Sequence, residues 1–89
     1  MKVTAELSLY PLEADFEDCI ISFIQHLKKF DKIEVFTHSM SSYVKGESKD
    51  VFRAIDAALE AVNDKTDTLS LVIKIINRDL PVEKGFLNF

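Results

Sequence analysis

An α+β fold is predicted by two kinds of apolar pattern that follow one another along this 89-residue chain. Four segments alternate apolar and polar residues, as strands with one buried face do. Two others repeat apolar residues every three or four positions, as amphipathic helices do. Their order is strand, helix, strand, strand, helix, strand, which corresponds to two split βαβ units. The pattern therefore predicts a ferredoxin-like βαββαβ domain, a four-stranded antiparallel sheet with two helices on one face.

The first unit opens with a strand over residues 2–10, which alternates apolar and polar side chains until Pro11 ends it. Asp15 is a favourable N-cap for the next helix, because its carboxylate can accept hydrogen bonds from backbone groups of the first turn. We expect that helix over residues 16–30. Its apolar residues fall on one face: Phe16, Cys19, Ile20, Phe23, Ile24, Leu27 and Phe30.

The middle of the chain predicts a β-hairpin with strands over residues 33–37 and 42–45. Short polar residues lie between the strands, as in a tight turn. Ser48 is expected to cap the second helix. Phe52 on that helix is expected to meet Phe23 over the sheet. The buried face of the second helix is predicted to hold Val51, Phe52, Ile55, Ala58, Leu59 and Val62.

The last strand is expected over residues 69–76, where β-branched residues are frequent. We expect the first strand to lie between the fourth and the third, with the second at the far edge. The helices are expected to cover Ala5, Leu7, Leu9, Val44, Leu71 and Ile73. The open face then carries Thr4, Glu6, Ser8, Tyr10, Tyr43, Lys45, Val72, Lys74 and Ile76. Because Val72 and Ile76 would be exposed there, we expect another subunit to cover this face.

Length and charge limit the class of protein. The chain fits a single domain, residues 1–89, in which the patterns leave the tail 79–89 unassigned. A formal net charge of −4 argues against a nucleic-acid partner, because phosphate binding calls for a basic surface. We expect no membrane partner, since no apolar run reaches the ~18 residues of a membrane helix. Without a recognisable signal peptide and with Cys19 as the single cysteine, we expect a cytoplasmic protein.

Residues that could carry catalysis are few. Cys19 falls on the buried helix face and His26 off it, while His38 borders the hairpin turn. No second cysteine or nearby histidine completes a metal-ligand set. RNA-binding RRM domains and acylphosphatases share the strand order, but the third strand offers only Tyr43 as an aromatic residue, and the loop after the first strand lacks Arg and Gly. We therefore expect no catalytic residue, no metal and no cofactor.

Three short stretches occur in a specific order: TAELSLYPL at residues 4–12, THSMSSYVKGE at 37–47 and VIKI at 72–75. Together they resemble the YkoF-like thiamine/hydroxymethylpyrimidine-binding family, as a small single-repeat member. The resemblance implies a ferredoxin-like fold, assembly into homodimers or homotetramers, and non-catalytic binding of thiamine or its hydroxymethylpyrimidine moiety.

A small-molecule ligand of this kind needs hydrogen-bonding groups for its aminopyrimidine, and carboxylate or aromatic neighbours for its cationic ring. Lys45 and Lys74 would repel that cation unless Glu6 neutralises them. The predicted ligand-binding residues are Glu6, Ser8, Tyr10, Thr37, Ser39, Met40, Ser41, Ser42, Tyr43 and Glu47. The alternative is a homo-oligomeric structural or regulatory module whose open sheet face is only a subunit interface, with the hydroxyls serving as ordinary turn residues.

Overall fold

The strands and helices follow the predicted order. The structure is a computed structural model that describes residues 1–12 and 16–82, with Phe16 described by its backbone alone. The predicted cap Asp15 and the tail residues from 83 onward lie outside the described residues. The elements are β1 (Lys2–Pro11), α1 (Phe16–Leu27), β2 (Glu34–Thr37), β3 (Ser42–Glu47), α2 (Ser48–Val62) and β4 (Leu69–Ile76).

The four strands form one antiparallel sheet in the order β2-β3-β1-β4, so the predicted ferredoxin-like fold is confirmed. The register places Glu6 of β1 opposite Tyr43 on one side and Lys74 on the other. Both helices lie on one face, where α1 packs on β1, α2 packs on β3, and the helices pack against each other. No described helix covers the opposite face of the central strands β1 and β3.

The core lies between the helices and the sheet face that they cover. Strand alternation places Val3, Ala5 and Leu7 of β1 in the core, and α1 contributes Phe23 to the same cluster. The helix α1 ends at Leu27 rather than at residue 30, because the last turn tightens into hydrogen bonds that reach three residues back instead of four. The buried apolar residues are Val3, Ala5, Leu7, Cys19, Phe23, Leu27, Ile33, Val44, Val51, Ala54, Ile55, Ala58 and Val62.

The predicted meeting of Phe23 and Phe52 is wrong. Phe23 is buried, but Phe52 is 50% exposed. Successive residues of a helix point about 100° apart, and the buried face of α2 follows Val51 rather than its neighbour. The continuation of that face through Ala54 and Ile55 leaves Phe52 outside it. Phe52 therefore contributes a large apolar side chain to the surface.

The predicted capping role of Ser48 is also wrong. Glu47 occupies the cap position without a side-chain capping hydrogen bond, and Ser48 is the first helical residue. The Ser48 N–H instead donates to the Met1 carbonyl oxygen, 2.8 Å away. The strand start next to the helix thus supplies the acceptor that a capping side chain would otherwise provide.

Strand β4 forms one edge of the sheet, and this changes the burial expected for its residues. Ile73 was expected beneath the helices but is 38% exposed, because α1 lies over β1 and α2 over β3. On the open face, Val72 and Ile76 are exposed as predicted. Thr4 and Lys45 belong to that same face, yet they are buried.

Candidate ligand-binding site

A cavity of about 900 Å³ opens on the sheet face that the helices leave uncovered. It lies where the end of β1 meets the turn between β2 and β3. The His38 N–H closes this turn by donating to the Ser41 carbonyl oxygen, 2.9 Å away. The size falls in the range typical of small-molecule sites, roughly 300–1,000 Å³. The lining residues are Glu6, Ser8, Tyr10, His38, Ser39, Met40, Ser41, Tyr43, Leu80, Pro81 and Val82.

Glu6 provides the carboxylate of the cavity. The Ser41 hydroxyl donates to Glu6 Oε2 over 3.1 Å, which joins the hairpin turn to the central strand. Lys74 Nζ lies 3.8 Å from Glu6 Oε1, but the lysine side chain is 73% exposed. A loose, solvated ion pair of this kind contributes little and leaves the carboxylate able to accept other hydrogen bonds.

Aromatic rings line the cavity beside this carboxylate. Tyr43 is the cross-strand partner of Glu6. Tyr10 lies four residues after Glu6 on β1 and therefore on the same face of the sheet. The His38 ring stands edge-on to Tyr43, with ring centroids 5.1 Å apart and planes at 75°. Edge-to-face contact of this kind fixes ring orientation. The arrangement offers flat apolar surface next to groups that donate and accept hydrogen bonds.

A segment that follows β4 forms one wall of the cavity. After the edge strand, the chain turns back across the open face as residues 78–82, which we call the wall segment. The Thr4 hydroxyl donates to the Arg78 carbonyl oxygen at 2.8 Å and accepts from the Leu80 N–H at 3.0 Å. One buried hydroxyl therefore satisfies two backbone groups of the segment. This contact explains why Thr4 is buried on a face that has no helix.

The second attachment of the wall segment is an ion pair. Lys45 Nζ lies 2.7 Å from Asp79 Oδ1, and the lysine side chain is only 10% exposed. The hydrogen bond from Lys45, together with the positive charges of Lys45 and Lys2, lowers the pKa of Asp79 below its usual range. Lys45 is held beneath the segment and does not line the cavity.

Seven of the ten predicted site residues lie together. The structure places Glu6, Ser8, Tyr10, Ser39, Met40, Ser41 and Tyr43 around the cavity. Their role in binding stays a prediction.

The other three are placed elsewhere. Thr37 and Ser42 are cross-strand partners that face the helices, beside a smaller cavity of about 140 Å³ between α1 and the hairpin. Glu47 lies at the far end of β3, where its carboxylate accepts a hydrogen bond from the Met1 amino group at 2.8 Å. That hydrogen bond and the ammonium charge lower the pKa of Glu47.

Sequence reasoning missed the wall residues Leu80, Pro81 and Val82. The available signal was a short apolar triplet directly after the polar residues 77–79, at the end of an edge strand. Periodicity over three residues is too short to predict a face, so their position is revealed only by the structure, through the hydrogen bonds to Thr4 and the ion pair of Asp79. His38 also lines the cavity, although its position in the sequence indicated only that it lies near the hairpin turn.

Within residues 1–12 and 16–82, no three His, Cys, Asp or Glu side chains group as a set that could hold a metal ion. Over the same ranges, every helix is too short or too polar to cross a membrane.

The profile of the YKOF-related family matches residues 2–76, which include all four strands and both helices. This chain belongs to the YKOF-related family. A comparison with curated proteins gives no significant match. The family match agrees with the resemblance carried by the first strand, the hairpin and the last strand.

Three solved structures share the fold of this family member. A hypothetical protein of Methanocaldococcus jannascii is 29% identical, with a TM-score of 0.77 over 88% of this chain and 81% of that one. A Streptococcus pneumoniae protein is 22% identical, with a TM-score of 0.81 over 94% and 97%. A Thermotoga maritima protein, described as "a putative thiamine biosynthesis/salvage protein", is 16% identical, with a TM-score of 0.83 over 94% and 95%.

Proposed function

We propose that this chain binds thiamine or its hydroxymethylpyrimidine moiety without transforming it. The observation that carries the proposal is the cavity on the open sheet face, where Glu6 lies among hydroxyl groups and aromatic rings. Membership of the YKOF-related family supports it, as does the fold shared with a Thermotoga maritima protein whose description refers to thiamine biosynthesis or salvage.

The chemistry of the lining residues suits an aminopyrimidine. Its exocyclic amine can donate to the Glu6 carboxylate, while a ring nitrogen can accept from a hydroxyl such as that of Ser8. Tyr10 and Tyr43 offer aromatic faces for a heteroaromatic ring, and aromatic faces also attract a cationic ring. Each kind of group on the ligand thus has a matching group on the protein.

Binding, rather than catalysis, fits the way these groups are used. The Ser41 hydroxyl donates to Glu6, and the His38 ring stands against Tyr43. Both contacts fix side chains that line the cavity, and we assign these side chains to recognition of a ligand that leaves unchanged.

Thermal unfolding with added ligand tests this proposal. Thiamine or hydroxymethylpyrimidine at 100 times its dissociation constant should stabilise the protein by ~2.7 kcal/mol, which raises the unfolding midpoint of a domain of this size by roughly 10–20 °C. Titration calorimetry should then give one site per chain. An unchanged midpoint with both compounds at millimolar concentration would contradict the proposal.

A second candidate function is a homo-oligomeric structural or regulatory module. It is favoured by Val72 and Ile76, which are 54% and 41% exposed on the open face. Exposed apolar residues on a sheet face favour contact with another subunit. In this case the protein would form a homodimer or homotetramer that Val72→Asp dissociates, while thiamine and hydroxymethylpyrimidine would leave its stability unchanged. Light scattering measures the first effect and thermal unfolding the second.

A further inference from the structure

We propose that Thr4 is a positioning residue of the ligand site, whose buried hydroxyl fixes the wall segment across the open face and so sets the apolar wall against which a ligand ring packs. This inference rests on the proposed binding function. It concerns a residue that acts through the wall, since Thr4 itself lies outside the residues that line the cavity of about 900 Å³.

The Thr4 hydroxyl uses both of its hydrogen-bonding roles on the backbone of the wall segment. It donates to the Arg78 carbonyl oxygen over 2.8 Å and accepts from the Leu80 N–H over 3.0 Å. Because Thr4 is only 4% exposed, water has little access to this hydroxyl as a replacement partner. A backbone group that loses its partner away from water is costly, so the two bonds fix where residues 78–80 cross the sheet.

A second contact restrains the same stretch through side chains. Asp79 lies between the two bonded residues and pairs with Lys45 Nζ at 2.7 Å, and Lys45 is opposite Thr4 across the β1–β3 pair. The Asp79 side chain is 56% exposed and rotatable, so this pair restrains a charge rather than the backbone. Removal of the Thr4 hydroxyl should therefore leave the segment attached but loosen its backbone.

Beyond Leu80, a tight turn shapes the wall. The Val82 N–H donates to the Leu80 carbonyl oxygen over 2.9 Å, a bond between residues i and i+2 that makes a γ-turn around Pro81. The fixed φ of proline, about −65°, suits the centre of the inverse form of this turn. Leu80 and Val82 both line the cavity, so a backbone fixed at residue 80 places both apolar side chains.

The wall meets the groups that we propose bind the ligand. Leu80 and Val82 line the main cavity with Glu6 and Tyr43, and the same four residues line a side cavity of about 160 Å³ that also reaches Thr4. These four residues thus border both spaces. A displaced wall would join the two spaces and reduce the apolar surface that the site offers to a ring.

Titration calorimetry on two Thr4 variants tests the inference. Thr4→Val keeps the branched shape and removes the hydroxyl. We expect it to weaken binding of thiamine and of hydroxymethylpyrimidine by about three- to tenfold, because the ligand must then order the wall as it binds. Thr4→Ser keeps the hydroxyl and should stay within about twofold of the wild type. Wild-type affinity in Thr4→Val would overturn the inference.

Two further variants separate positioning from a general loss of stability. Ile55→Val removes a methyl group from the core and should lower the urea midpoint while leaving affinity within about twofold of the wild type. Leu80→Ala removes part of the wall, so Thr4→Val should cost much less affinity in that background than in the wild type. The inference is overturned if Ile55→Val loses as much affinity as Thr4→Val, or if the Thr4 and Leu80 losses simply multiply.

Hydrogen exchange without ligand separates this inference from the proposed function. The Leu80 N–H should exchange about tenfold faster or more in Thr4→Val than in the wild type. The Lys28 N–H, bonded to the Ile24 carbonyl oxygen at 3.0 Å, is the control and should keep its rate. An unchanged rate at Leu80 would overturn the inference even if both ligands bind. If Leu80 responds as expected but neither ligand binds the wild type, the proposed function is wrong and the positioning role is wrong with it.

Discussion

Ser41 in the hairpin turn donates its hydroxyl hydrogen bond to Glu6 on the central strand, across 35 positions of sequence. The turn and the strand are thereby held in one arrangement around the cavity. The bond also orients the Glu6 carboxylate, whose other oxygen lies toward Lys74.

Glu6→Gln is predicted to weaken binding of thiamine or hydroxymethylpyrimidine about tenfold or more, because a hydrogen bond to a charged group contributes ~1.5–3 kcal/mol. Ser41→Ala should weaken binding less, since it removes only the neutral partner of the carboxylate. Glu60→Gln, on the exposed surface of α2, serves as the control and should bind as the wild type does. Calorimetry on folded variants decides; wild-type affinity in both Glu6→Gln and Ser41→Ala would remove this cavity as the site.

Phe23 and Phe52 form a matched pair for testing the core. Phe23→Ala should lower the free energy of unfolding by ~3–5 kcal/mol, because a buried aromatic side chain is replaced by a cavity. Phe52→Ala, at a half-exposed position, should cost less than about 1 kcal/mol. Urea unfolding measures both values. A larger loss of unfolding free energy for Phe52→Ala than for Phe23→Ala would mean that the buried face of α2 is wrongly assigned.

Gly46 is predicted to accept a side chain only at a cost in stability. Its φ is 159°, and a Cβ there would lie 3.2 Å from the Lys32 carbonyl oxygen, a backbone atom that cannot rotate away. Gly46→Ala should therefore destabilise the protein by about 1–3 kcal/mol. Ser70→Ala, exposed on the edge strand, is the comparison and should stay within about 0.5 kcal/mol of the wild type by urea unfolding. A neutral Gly46→Ala would show that β3 can shift at this position.

The ion pair of Asp79 predicts a pH dependence of known sign. Because the pKa of Asp79 is lowered in the folded protein, its stabilising effect is present above the ordinary aspartate pKa of ~3.9 and is lost as pH falls through the lowered value. The stability difference between wild type and Asp79→Asn should thus persist at neutral pH and vanish in acid. Carboxyl-carbon NMR should give Asp79 a lower pKa in the wild type than in Lys45→Met; equal values would contradict the pairing.

The sequence predicted the order of strands and helices because alternation and helical spacing are local patterns that survive over eight or more residues. The orientation of Ser42 could also have been predicted, since it shares strand parity with the buried Val44. The exposure of Phe52 could not have been predicted. An apolar stripe that includes both Val51 and Phe52 is equally compatible with two rotations of the helix about its axis. The position of the wall segment could not have been predicted either, since it depends on the hydroxyl of Thr4, 74 residues before Arg78.

The separation between Thr4 and the wall segment also bears on the order of folding. The floor of the cavity comes from the first strand and its wall from the last described residues, with both helices and the hairpin in between. Contacts so far apart in sequence form late, because the intervening chain must be ordered or looped before they close. During synthesis, the second edge of β1 is paired only after β4 has been made. A nascent chain would therefore form its hairpin and helices first and its cavity last.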